Sequence, residues 1–317
     1  MRRQLRFFLL VLSLVLGLTS RTSAGKSQTN ENQDPTFTTI DFPGSTATVG
    51  RDVTADGHTY VGEYDDITGH HGFLLKSGAL TSIDGPGSVS TDAHGINSRG
   101  DIVGVFRTGD GQSHGYLMNR DGLSVFDVEN STGTSFMGIN DHGDIVGGWC
   151  DGTITPCPAG GEGNRGFLLS DGQFTTIDFP RATLTQAWKI NAQRDVVGVY
   201  RDTAGHFHGF LWHVGEFESI DVPGSVGTLA LGINNRGEIV GSYCTTMPCG
   251  IPLVNNHGFV LRQGEFTSFD FPDTDKTRAL AINARGDIVG AYQDFNNKNH
   301  AFLIKRKGDD AEDDDKD

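Results

Sequence analysis

Internal repetition restricts the fold of this chain more than any other feature. The stretch GINSRGDIVGVF at 95–106 returns as GINDHGDIVGGW at 138–149, then as KINAQRDVVGVY, GINNRGEIVGSY and AINARGDIVGAY. DVTADGHTYVGEY at 52–64 is a weaker first copy. Two further elements recur in phase. One is His-Gly-Phe-Leu, opening at His71, His114, Arg165, His208, His257 and His300. The other is FTTIDFPG at 37–44, whose relatives carry Asp84, Asp127, Asp178, Asp221 and Asp270. The glycine of the Val-Gly step falls at 62, 104, 147, 198, 241 and 290. A period of roughly 40–50 residues means stacked units that cannot bury a core alone.

Each unit reads as four short strands, here called A to D. Strand A precedes the Asn, B is Asp-Ile-Val-Gly-x-aromatic, C is His-Gly-Phe-Leu-Leu, and D is Phe-Thr-Thr-Ile-Asp. No helical period appears after the first two dozen residues. The expected fold is an all-β, six-bladed β-propeller of four-stranded antiparallel blades; a parallel β-helix, with shorter rungs, is the runner-up. Along strand A, Met137 and Ile139, Leu231 and Ile233, and Leu280 and Ile282 should share a bulky face. Ala93 and Gly95, Ala230 and Gly232, and Ala279 and Ala281 should share a small one.

The C–D hairpin can be registered from spacing. Two-residue turns at Ser77-Gly78, Asp171-Gly172, Val214-Gly215 and Gln263-Gly264 would set the residue opening strand C opposite the Asp closing strand D. Repeat two has Arg120-Asp121 there, so its turn should differ. The structural pairs expected are His71/Asp84, His114/Asp127, Arg165/Asp178, His208/Asp221 and His257/Asp270. After His300 the chain turns into an acidic run with no Phe-Thr-Thr-Ile-Asp segment, whereas the strand Phe37 to Asp41 lacks a preceding partner. A closed ring answers both: the N-terminal strand completes the last blade, with Asp41 opposite His300.

Residues 1–24 read as a secretory signal peptide: a basic start, an apolar run from Phe7 to Leu18, and Thr22-Ser23-Ala24. Residues 25–35 would be a flexible lead-in, 36–306 the propeller, and 307–317 a disordered acidic tail. No transmembrane segment is expected in the mature chain, which would be extracellular or periplasmic. In such a compartment Cys150 with Cys157, and Cys244 with Cys249, read as two local disulfides. A four-thiolate metal site is the rival reading. The net charge of −15, more negative once the signal is removed, disfavours nucleic acid as a partner.

Arg99-Gly100-Asp101 and Arg285-Gly286-Asp287 match a cell-adhesion tripeptide. Both fall inside the repeated turn Asn-x-x-Gly-Asp, where Asn bonds its own backbone and Gly takes the left-handed position. The His/Arg–Asp pairs, repeated in every unit, read as structure, and no catalytic motif, catalytic residue, cofactor or metal is expected. Departures from the repeat gather in the B–C loops, of which the third and fifth are long and carry the cysteines. Candidate ligand-binding residues there are Tyr64, Trp149, Asp151, Arg201, Asp202, Tyr243, Tyr292 and Asp294. Aromatic packing between blades is the competing role for the rings.

The repeats resemble those of the bacterial extracellular HAF-repeat proteins, named for a His-Ala-Phe tripeptide. His300-Ala301-Phe302 matches it literally, and four other copies read His-Gly-Phe or His-Gly-Tyr. The resemblance spans about residues 36–306 and implies a bacterial exported protein without implying an activity. The expected function is a binding module for extracellular polysaccharide or protein, acting through the B–C face. The alternatives are a polysaccharide-active enzyme using loop carboxylates, or a structural or adhesive surface protein.

Overall fold

A computed structural model describes residues 36–152, 164–249 and 255–306, together with the two-residue strand Leu14–Val15. The expected signal peptide, lead-in and tail otherwise lie outside the described residues. Each repeat forms an antiparallel A-B-C-D meander, and the fold is an all-β propeller of four-stranded antiparallel blades. The third, fourth and fifth repeats stand as separate four-stranded sheets. So does the sixth, whose outer strand is Phe37–Ile40 from the other end of the chain, paired with Asn299–Ile304.

The first two repeats depart from the expectation of six separate blades. Their meanders, with Leu14–Val15 at the outer edge, share one nine-stranded sheet, leaving four free-standing blades. The junction is a single parallel bridge between His70 and Ser90. There the His70 ring reaches Asp92 at 2.7 Å and draws strand C of repeat one against strand A of repeat two.

Every A–B pairing slips by one residue at the same place. The extra residues are Arg51, His94, Met137, Trp188, Leu231 and Leu280. A bulge re-aims its side chain and breaks strict alternation. Met137 and Ile139 therefore do not share a face. Met137 packs with Trp188, Leu231 and Leu280 from other repeats, whereas Ile139 packs with Val103, Phe136 and Phe167. The bulge also explains the Val-Gly step. A Cβ on Gly147 would lie 2.0 Å from the Ser135 carbonyl and 2.8 Å from the Phe167 ring. Equivalent collisions, at 1.9–2.0 Å, exist at Gly62, Gly104, Gly198, Gly241 and Gly290.

Small residues meet across repeats. A Cβ on Gly209 of strand C would touch the Ala230 methyl at 2.9 Å. In the last repeat the roles swap: Ala301 replaces that glycine and faces Gly50. A threonine anchors each junction as well. The Oγ1 atoms of Thr48, Thr91, Thr134, Thr185, Thr228 and Thr277 accept the amide that follows the preceding strand-D Asp, at 2.8–3.1 Å.

Candidate functional site

The A–B turns form one end of the molecule. Asn234 shows their construction. Its Oδ1 accepts the amides of Arg236 and Glu238, while its Nδ2 donates to Glu238 at 2.6 Å. The same Nδ2 also donates to the Asn283 carbonyl of the next repeat at 3.0 Å. Asn97, Asn140 and Asn191 do the same in turn, and Asn283 reaches the Thr54 carbonyl at 3.2 Å. This chain of amides, running from repeat two round to repeat one, borders a cavity of about 90 Å³ lined by residues of all six repeats.

The adhesion-like tripeptides are absorbed by these turns. Arg99 bonds its own neighbour Asp101 and the Asp141 carbonyl, and Asp101 accepts from Asn97. Asp287 is buried and accepts from Asn283 and the Arg306 amide. Neither carboxylate is presented to solvent as a free acceptor.

The six predicted pairs all meet. Hydrogen bonds of 2.6–3.0 Å join His71 to Asp84, His114 to Asp127, Arg165 to Asp178, His208 to Asp221, His257 to Asp270 and His300 to Asp41. Both turn residues have positive φ at Ser77-Gly78, Asp171-Gly172, Val214-Gly215 and Gln263-Gly264. In repeat two the turn residues Arg120 and Asp121 do not, and Gly122 takes φ 112° instead.

The B–C loops lie at the opposite end. Tyr64, Tyr200 and Tyr292 each stack on a phenylalanine of the preceding D–A connection (Phe42, Phe179 and Phe271) at 3.5–3.7 Å. Their other faces meet His71, His208 and His300 at 4.9–5.2 Å between ring centres. Tyr243 packs on His257 and bonds Ser268 at 2.8 Å, and Trp149 is half-buried against a core shared by repeats two and three. The rings named in the sequence thus brace neighbouring units. Asp151 is paired with Arg165 at 3.0 Å, and Arg201 bonds Thr183. Asp202 caps its own loop; the His206 amide is the largest of the effects that hold its carboxyl down at about 2. Asp294 accepts the amides of Asn296 and Lys298.

Among its exposed loop residues this end carries several large apolar side chains. Ile67 (98 %), Met247 (60 %) and Phe295 (92 %) project from the B–C loops, and Val89 (63 %) lies beside them. Met247 sits inside the Cys244–Cys249 disulfide loop. Cys150 is also disulfide-bonded, and its expected partner Cys157 lies outside the described residues. Beside Phe295 is a depression of about 390 Å³ bounded by Asp273, Thr274, Asp275, Lys276 and Asp294.

A third constellation was not singled out in the sequence. Arg51 clasps Glu63 with bonds of 2.7 and 2.6 Å. His70 spans Asp65 at 2.6 Å and Asp92 at 2.7 Å. Lys189, from repeat four, reaches Asp52 at 2.8 Å and the His94 carbonyl at 2.5 Å. Burial disfavours a charged His70, yet the Asp92 and Asp65 carboxylates outweigh it and raise its pKa to about 10. Burial, reinforced by Arg51, pushes His94 down to about 3. Burial also lowers the Lys189 ammonium, against the pull of Asp52. The signal that could have located this cluster is the departure of repeats one and two from the pattern. Glu63 stands where other repeats have Val105, Gly148, Val199, Ser242 and Ala291.

No protein-family model matches the chain, and no curated protein is significantly similar to it. Solved structures share its fold. A six-bladed β-propeller lectin from Aleuria aurantia superposes with a TM-score of 0.53 at 11% identity, covering 81% of this chain and 91% of the lectin. A TolB-type protein from Agrobacterium tumefaciens gives 0.53 at 11% identity, covering 82% and 91%. A variant of AofleA from Arthrobotrys oligospora gives 0.55 at 8% identity, covering 93% of both chains. Among the described residues no helix is long and apolar enough to cross a membrane.

Proposed function

We propose that this chain is an exported six-bladed propeller of the HAF-repeat type, in which the nine-stranded sheet counts as two blades. It acts as a binding module through the end that carries the B–C loops, with extracellular polysaccharide as the ligand class and a protein partner as the alternative. The amide chain through all six repeats supports the ring. The disulfide supports an oxidising compartment.

The observation that carries the function is the row of exposed apolar tips Ile67, Met247 and Phe295 on one end of a rigid scaffold. Binding groups concentrate on loops held by such a frame. A solvent-exposed aromatic ring beside carboxylates can stack on a sugar face while the oxygens accept its hydroxyls.

The test is a pull-down on insoluble polysaccharides, assayed for bound protein and for released reducing ends. Retention should fall in Phe295→Ser and Ile67→Ser and persist in Val214→Ser, an exposed apolar residue at the other end. Release of reducing ends would overturn the module in favour of an enzyme. Equal retention of all variants would remove the B–C end from consideration.

A further inference from the structure

We propose that Glu63, Asp92 and His94 form a binding site for one divalent transition-metal cation of the zinc class. A carboxylate oxygen from each acid and a ring nitrogen of His94 all lie within 4.8 Å of one another. Imidazole and carboxylates are a ligand set that zinc accepts, and a carboxylate-rich set with an open position also suits manganese.

Four further observations support the site. First, His94 is almost completely buried, and its Nδ1 lies 3.0 Å from the Phe136 carbonyl. A carbonyl can only accept, so Nδ1 carries the proton and the lone pair is on Nε2. Within the described residues Nε2 makes no hydrogen bond, and metal-binding histidines are commonly oriented by such a backbone carbonyl. Second, Arg51 and His70 hold the two acids from behind without exhausting them. A carboxylate offers about four acceptor positions; Arg51 uses two on Glu63 and His70 one on Asp92, and the two acids also lie against each other. Third, four acidic side chains (Asp52, Glu63, Asp65 and Asp92) adjoin three basic ones (Arg51, His70 and Lys189), so acids outnumber bases in the cluster. Fourth, the Asp92 side chain is 18% exposed, so one of the three ligands is in contact with solvent.

The ligand types come from adjacent repeats and from nowhere else in phase. Positions matching His94 hold Arg51, Met137, Trp188, Leu231 and Leu280; those matching Asp92 hold Val49, Ser135, Gln186, Leu229 and Arg278. His94 is the bulged residue of its strand, so its side chain departs from strict alternation.

The experiment is calorimetric titration of the chelator-treated full chain with zinc chloride, alongside absorption spectra with cobalt(II). We expect one ion per chain, a rise in Tm on loading, and visible cobalt bands of a nitrogen–oxygen site. His94→Gln should weaken binding at least about tenfold, and Glu63→Gln should also weaken it. Because these positions are buried, the cobalt spectrum of the unaltered protein is the independent readout should a variant fail to fold. Absence of saturable zinc and cobalt uptake by the folded wild type would overturn the site. So would uptake unchanged in folded His94→Gln, which would assign the ion to surface histidines.

Discussion

Replacing Asn234 with Ala removes two donated and two accepted hydrogen bonds at a side chain that is only 4% exposed. A net loss of about 1 kcal/mol per bond gives roughly 3–4 kcal/mol: the Glu238 amide loses its acceptor in a buried turn, whereas the Asn283 carbonyl keeps the Gly286 amide. For a domain of this size each kcal/mol lowers Tm by about 2–4 °C, so the expected shift is roughly 6–16 °C. Asn235→Ala is the control. That side chain is exposed and accepts a single bond, from the Ala192 amide, and should cost no more than about 1 kcal/mol. Asn234→Asp separates the two halves of the device. It keeps both accepted bonds within the turn but loses the donation to the next repeat and sets a second carboxylate against Glu238. It should be at least as destabilising as alanine. Paired thermal and urea unfolding, with the urea slope checked for constancy, measures all three. A Tm change for Asn234→Ala no larger than the control, or a near-normal Asn234→Asp, would refute the inter-repeat role.

Gly147→Ala should destabilise by more than about 3 kcal/mol or yield no soluble protein, because its Cβ meets a carbonyl at 2.0 Å; tolerated substitution would show that the A–B bulge can relax. The His300 pKa is raised chiefly by its Asp41 hydrogen bond, helped by Asp294 and opposed by burial and Lys298. Its contribution to stability is therefore full below the ordinary value of 6.5 and lost as pH rises through the raised value. Urea unfolding of wild type and His300→Gln at about pH 6 and about pH 9 should show the larger difference at the acidic value. The Cys244–Cys249 bond closes a separation of only 5 residues, so Cys244→Ser with Cys249→Ser should cost at most about 2 kcal/mol, read as a small fall in Tm with unchanged far-ultraviolet circular dichroism.

The sequence by itself determined what is local or repeated. Strand order, the C–D register and the partner of each strand-C His follow from spacing inside one hairpin. The pairing of His300 with Asp41 follows from counting which strand lacks a mate. Even the adhesion-like tripeptides could be assigned to a turn, because other repeats show the same place occupied by His-Gly-Asp or Gln-Arg-Asp. Only the tertiary structure decided what happens between repeats. Alternation by two predicted that Met137 and Ile139 share a face, and the bulge separates them; nothing in a single strand's composition announces a bulge formed with its neighbour. The second function of Asn234 depends on a carbonyl 49 residues away. Lys189 meets Asp52 across 137 residues because strands at the same phase of different repeats converge on one axis. Arg51, Glu63, Asp92 and His94 look like scattered exceptions along the chain. They become one cluster because two consecutive meanders bring their departures from the pattern to a common interior, where burial forces charged groups to find one another.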